Sequence, residues 1–181
     1  MKTVEIIPET AFRTTSWSGG TTTELFIWPE GSSYPERRFS ARISTALVEL
    51  EESSFTPLPG VKRFLTPLCA GFSLTVNGES VKLPHGQVLE FSGGDDVTCR
   101  GSGRDLNLML KGCGGEMRIV RGAFKADAPM AFLYSERGAR LRPASWKPGA
   151  RRVIPAGAFV RLAPGEYGIS ESAVLFVIRP Q

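Results

Sequence analysis

Short runs of alternating apolar and polar residues, broken by Gly, Pro, Asn and Asp, recur along the chain, and no long stretch repeats apolar residues at helical spacing. Successive side chains of a strand point to opposite faces, so this pattern predicts an all-β protein. Phe39, Ala41, Ile43, Thr45 and Leu47 share one face of a predicted strand, and Ser40, Arg42, Ser44, Ala46 and Val48 share the other. Residues 72–76 lead into Asn77-Gly78, a pair that tolerates positive φ and predicts a tight hairpin, with residues 80–83 returning. Pro84-His85-Gly86 turns the chain into a strand over residues 88–91, and Ser92-Gly93-Gly94-Asp95 turns it again. Residues 105–110 form a further strand, with Leu106, Leu108 and Leu110 facing one way and Asp105, Asn107 and Met109 the other.

The chain also echoes itself. Leu83-Pro84-His85-Gly86-Gln87-Val88-Leu89-Glu90-Phe91 and Ile154-Pro155-Ala156-Gly157-Ala158-Phe159-Val160-Arg161-Leu162 both read aliphatic, Pro, x, Gly, x, apolar, apolar, charged, apolar. A duplicated β unit accounts for this, and the Pro-x-Gly turn before a strand resembles a conserved turn of cupin barrels. The expected architecture is therefore a bicupin, two jelly-roll halves in one chain, with a first half over residues 1–115 and a second over 116–181. The last strand of the second half, residues 173–178, is apolar on both faces and should be buried on both. Its counterpart in the first half carries Asp105 and Asn107, so any polar pocket belongs in the first half.

Composition narrows the chemistry. The 181 residues hold 20 Gly and 13 Pro, consistent with many turns, and the N-terminal residues carry Lys2 and Glu5 around a very short apolar run. That run is too short for a secretory or spanning segment, and a cytoplasmic location is the expectation. Cys69, Cys99 and Cys113 are an odd number without CxxC spacing and are read as reduced and structural. Cupin enzymes hold a metal through two or three histidines and a carboxylate; this chain has one histidine, His85, in a turn. No metal and no cofactor are expected. The same lone histidine argues against a Ser-His or Cys-His nucleophile. Asp95-Asp96 fits turn chemistry, and Ser18-Gly19-Gly20 and Gly112-Cys113-Gly114-Gly115 lack the context of a phosphate loop. The net charge is +4, yet Arg137, Arg140, Arg142, Lys147, Arg151 and Arg152 fall in a stretch without acids. With no accompanying helix or aromatic-interleaved motif, this run reads as a solvated face rather than a nucleic-acid surface.

The polar residues left in predicted strands or at their ends are Thr22, Glu24, Arg42, Ser44, Arg63, Asp105 and Asn107. Alternation puts Arg42 with Ser44 on one face, and Asp105 with Asn107 on another. Periodicity alone leaves open whether those faces look into a cavity or out to water.

Four motifs in order carry a family resemblance: Gly20-Thr21-Thr22-Thr23-Glu24-Leu25 after Trp17; Arg42-Ile43-Ser44-Thr45-Ala46; Phe55-Thr56-Pro57-Leu58-Pro59-Gly60-Val61-Lys62-Arg63 with Gly71; and Asp105-Leu106-Asn107-Leu108-Met109. Together they resemble the HutD/Ves family. Trp17 stands where that family has Asn, and beyond about residue 115 the likeness is only to cupins in general. The resemblance implies a bicupin, non-enzymatic and associated with histidine utilisation, with a pathway intermediate such as formylglutamate as the ligand.

On that implication Arg42 and Arg63 clamp a carboxylate, Glu24 or Asp105 takes an amide or ammonium, and Thr22, Ser44 and Asn107 orient neutral groups. A buried ion network among Arg42, Glu24 and Asp105 is the structural alternative. The leading expectation is a binding or regulatory protein for a small carboxylate or acyl amino acid, without a membrane partner. The second is a metal-independent cupin enzyme with Glu24 or Asp105 as acid/base. A homodimer stands open as the assembly.

Overall fold

The structure, a computed structural model, describes residues 3–68 and 70–181. Cys69 lies outside the described residues. By its contacts the chain divides into two compact units, one spanning Phe12–Cys113 and the other comprising residues 3–11 with Gly114–Gln181. Apart from a 3-10 turn at Glu9–Ala11, the regular elements among the described residues are all β-strands. None of the described helical segments is long and apolar enough to cross a membrane.

The first strand, β1 (Val4–Ile6), pairs with residues 160–162. It joins the later unit, although the sequence expectation places it in the first half. Val4 and Ile6 pack against the later unit's core, a pairing across the whole chain that local patterns do not carry.

Ten strands build the unit Phe12–Cys113: β2 (Arg13–Trp17), β3 (Gly20–Trp28), β4 (Ala41–Val48), β5 (Glu52–Ser54), β6 (Lys62–Pro67), β7 (Gly71–Val76), β8 (Glu79–Pro84), β9 (Leu89–Ser92), β10 (Val97–Arg100) and β11 (Gly103–Leu110). They form a six-stranded sheet, β2-β3-β4-β11-β6-β9, and a four-stranded sheet, β5-β10-β7-β8. The expected hairpin is β7–β8, with Asn77 at φ 51° and Gly78 at φ 86°. Leu65 and Phe91 from the larger sheet meet Phe72, Leu74, Leu83, Val97 and Cys99 from the smaller in one buried cluster. Each such side chain contributes about 1.5–3 kcal/mol by leaving water.

Register decides what shares a face. Across β4, β11 and β6 the aligned rows are Arg42–Met109–Arg63, Ser44–Asn107–Leu65 and Ala46–Asp105–Pro67. Directly opposed residues of antiparallel strands project to the same side, so the polar face of β4 and that of β11 are one face. Leu65 in this face belongs to the cluster between the two sheets, so the face looks inward. A register shift between Glu24 and Phe26 in β3 then brings Glu24 opposite Ser44. Gly20 opens β3 at φ 145°, where an added Cβ would stand 1.9 Å from the Leu47 carbonyl oxygen.

The other unit adds β12 (Gly114–Ala126), β13 (Met130–Ser135), β14 (Ala139–Pro143), β15 (Arg152–Ile154), β16 (Ala158–Leu162) and β17 (Gly165–Arg179). Its sheet runs β1-β16-β13-β17-β14-β15, with β12 on β17. The strand expected over residues 173–178 is the second half of the longer β17: residues 173–178 are buried, whereas Ser170, Glu171 and Ser172 are exposed. The echoed turns match in detail. Gly86 and Gly157 have φ 82° and 75°, and the Gln87 and Ala158 amides donate to the carbonyls of Pro84 and Pro155 at 3.2 and 3.3 Å.

Candidate functional site

The inward polar face opens on a cavity of about 330 Å³ within the unit Phe12–Cys113. Of the residues singled out in the sequence, Thr22, Arg42, Ser44, Arg63, Asp105 and Asn107 line it. Glu24 does not; it borders an adjoining recess of about 110 Å³ that shares Thr15, Tyr34 and Arg42 with the main cavity.

Arg42, 5% exposed, donates from Nε to Glu24 Oε2 at 2.7 Å and from Nη1 to Ser44 Oγ at 3.1 Å. Its guanidinium carbon lies 4.1 Å from the centre of the Tyr34 ring. Ion pair, hydroxyl and ring together hold this side chain in one place.

Arg63 is placed differently. It is 6% exposed, and its guanidinium carbon lies 4.7 Å from the Phe55 ring centre and 5.2 Å from that of Phe91. Nη2 donates to Asn107 Oδ1 at 3.2 Å, and Asn107 Nδ2 donates to Asp105 Oδ1 at 2.8 Å. Nε is buried and has no hydrogen-bond partner. A buried unmet donor costs about 1–3 kcal/mol, more when charged. Burial lowers the Arg63 pKa to about 10, against the raising effects of Tyr34 and Asp105.

Asp105 is 3% exposed, and burial raises its carboxyl pKa from 3.8 to about 7; hydrogen bonds from Asn107 and the Ala46 backbone and the charge of Arg63 pull the other way. Of the expected buried network, the Arg42–Glu24 ion pair is formed, whereas Asp105 is linked through Asn107 to Arg63.

Tyr34, Ser53, Ser54, Phe55 and Thr56 also line the cavity, although the sequence pattern does not single them out. Tyr34 comes from an irregular loop with no periodicity to mark it. Phe55 stands in one of the quoted motifs, where nothing signals that it packs on Arg63. Trp17 also lines the cavity and is 41% exposed.

Buried polar residues concentrate in the unit Phe12–Cys113. Arg42, Ser44, Thr45, Arg63, Thr66, Asp105 and Asn107 belong to this unit, and Ser135 is the buried polar residue described in the other. The other unit's core, built from residues such as Val120, Leu133, Leu141, Val160 and Leu175, is apolar.

The cavity residues do not fit the metal set of cupin enzymes: they include one carboxylate and neither His nor Cys. Among the described residues no three His, Cys, Asp or Glu side chains group closely enough to hold an ion. His85 is exposed in its turn. The Asp95 carboxylate accepts from the Ser92 amide and Asn77 Nδ2, as a turn residue does. Arg140 and Arg142 lie on β14 and Arg152 on β15, so half of the basic run is in strand rather than loop, and all three are exposed.

Fold and site together define a β-barrel protein of the cupin/jelly-roll class with a charged cavity in one unit. The HutD family model matches residues 9–139, and the chain belongs to the HutD family. The structure is similar to that of HutD from Pseudomonas fluorescens SBW25 under a formate condition, with TM-score 0.78 and 21% identity over 98% of this chain and 99% of that one. It is also similar to a conserved protein of unknown function from Pseudomonas aeruginosa PAO1, with TM-score 0.74 and 21% identity over 97% of each chain. A cupin 2 conserved barrel domain protein from Leptotrichia buccalis matches at TM-score 0.58 and 11% identity, over 100% and 98% of the two chains. Among curated proteins none matches the sequence significantly.

Proposed function

We propose that this chain is a non-enzymatic, metal-free bicupin that binds a small carboxylate or acyl amino acid and serves a regulatory role linked to histidine utilisation. The observation that carries this reading is the buried Arg63, with its Nε unpartnered, lining one cavity together with Ser44, Asn107 and Asp105. A carboxylate is the group a buried guanidinium pairs with best, and charge-assisted pairing makes the contact strong. Family membership supports the link to histidine utilisation. An acyl amino acid such as N-formylglutamate adds an amide that Asn107 and Ser44 can orient.

A thermal-shift panel of formate, glutarate and N-formylglutamate tests the reading. At a hundred times its dissociation constant, a ligand stabilises the fold by about 2.7 kcal/mol, a rise of roughly 5–11 °C in the melting midpoint for a chain of this size. No shift with any of them at millimolar concentration overturns it.

One observation favours a second reading, a metal-independent enzyme. A carboxyl raised to about 7 in a cavity is poised for general acid/base work, and Asp105 is such a group. Turnover of an acyl amino acid that is lost in Asp105→Asn, with binding retained, would establish it.

A further inference from the structure

The cavity's charges come in two unequal pairs. Arg42 and Glu24 form a direct ion pair at 2.7 Å. Arg63 and Asp105 are instead joined through the Asn107 amide, and the buried Arg63 Nε has no partner. The titratable and charged groups facing Asp105 across this cavity are Arg63 on β6, Arg42 on β4 and Tyr34 from the loop before β4, with Glu24 on β3 behind Arg42. From β2 and β5 come Thr15, Trp17, Ser53 and Ser54, which do not titrate. With both acids ionised the four charges sum to zero.

A carboxylate that pairs with the Arg63 guanidinium brings one further negative charge beside Arg63, Asp105 and Asn107, each more than nine-tenths buried. Charges are poorly screened there, and a site restores neutrality most cheaply by taking up a proton. Glu24 already shares its carboxylate with Arg42, so the acid available is Asp105. We infer that the cavity binds a carboxylate together with one proton held on Asp105, so that the carboxylate group bound there enters in effect as the neutral acid. This rests on the carboxylate-binding reading and adds the form in which the ligand is taken. Burial already brings the Asp105 carboxyl to about 7, so little further change is needed for the incoming anion to protonate it. Protonated, Asp105 becomes a hydrogen-bond donor and can meet a second ligand oxygen beside Arg63.

Calorimetric titration of the full chain with N-formylglutamate and glutarate at pH 8, in two buffers of different ionisation enthalpy, counts the protons exchanged. Both ligands are fully ionised at that pH and contribute none. The expected result is uptake of about one proton per bound ligand, and an affinity that weakens roughly tenfold from pH 8 to pH 9. Asp105→Asn should bind without uptake and with an affinity flat in pH. Binding by the unaltered chain without proton uptake overturns the inference and leaves the carboxylate reading standing. Absence of binding at millimolar ligand overturns both. The proton count on the unaltered chain decides the matter even if the variant does not fold.

Discussion

Glu24 accepts a hydrogen bond from Arg42 Nε at 2.7 Å, and this pair separates the roles of the cavity's two arginines. Arg42 is neutralised within the protein, whereas Arg63 keeps a buried donor unmet. Stability should therefore depend on the first arginine and ligand affinity on the second.

Replacing Arg63 with Ala should weaken carboxylate binding by about 10- to 150-fold, the equivalent of a charge-assisted hydrogen bond contributing about 1.5–3 kcal/mol. Replacing Arg42 with Ala should instead lower stability by about 1–3 kcal/mol, because Glu24 loses its partner in a poorly hydrated place. Calorimetric affinities and urea unfolding of the two variants check the division. Equal loss of affinity with unchanged stability in both would contradict it.

Asp105 should make stability depend on pH. Its carboxyl rises from 3.8 to about 7 on folding, so the folded state disfavours the ionised form. Its contribution is fully present below about pH 4 and is lost as pH rises to about 7, at about 1.4 kcal/mol per pH unit in between. Asp105→Asn lacks this loss and should be more stable than the unaltered chain at pH 8 by up to about 4 kcal/mol, with the gap narrowing toward pH 4. Urea unfolding at pH 5 and pH 8 measures it, and a variant less stable at pH 8 would refute the assignment.

Much of this arrangement is legible in the amino-acid sequence, for a physical reason. Alternation in residues 41–48 and 105–110 assigns Arg42 with Ser44 and Asp105 with Asn107 to single faces, since side chains on a strand repeat every second residue. The Asn77-Gly78 hairpin is legible because the turn needs positive φ. What alternation does not carry is register. That Ser44 stands opposite Asn107, and Met109 opposite Arg63, follows from pairing between strands 63 and 46 residues apart. The shift in β3 that sends Glu24 to Arg42 depends on Leu25 being accommodated as an extra residue, which no local pattern announces. Tyr34 and Phe55 reach the arginines from outside the regular alternation, so their role emerges only in three dimensions.

The glycine of the Gly20-Thr21-Thr22-Thr23-Glu24 motif should be irreplaceable for a steric reason. Gly20→Ala would place a Cβ 1.9 Å from the Leu47 oxygen at a φ of 145°. Relief requires β3 and β4 to move apart, at a cost of about 1–3 kcal/mol. A melting midpoint within 1 °C of the unaltered chain would show that the strands give way more readily than this contact implies.

A crystal structure of the protein grown with N-formylglutamate tests the carboxylate site at the level of single atoms. A ligand carboxylate oxygen is expected within about 3.2 Å of a guanidinium nitrogen of Arg63, inside the cavity bordered by Ser44, Asp105 and Asn107, with Arg42 still bonded to Glu24. A ligand bound elsewhere, or a cavity that holds only water, would contradict this assignment.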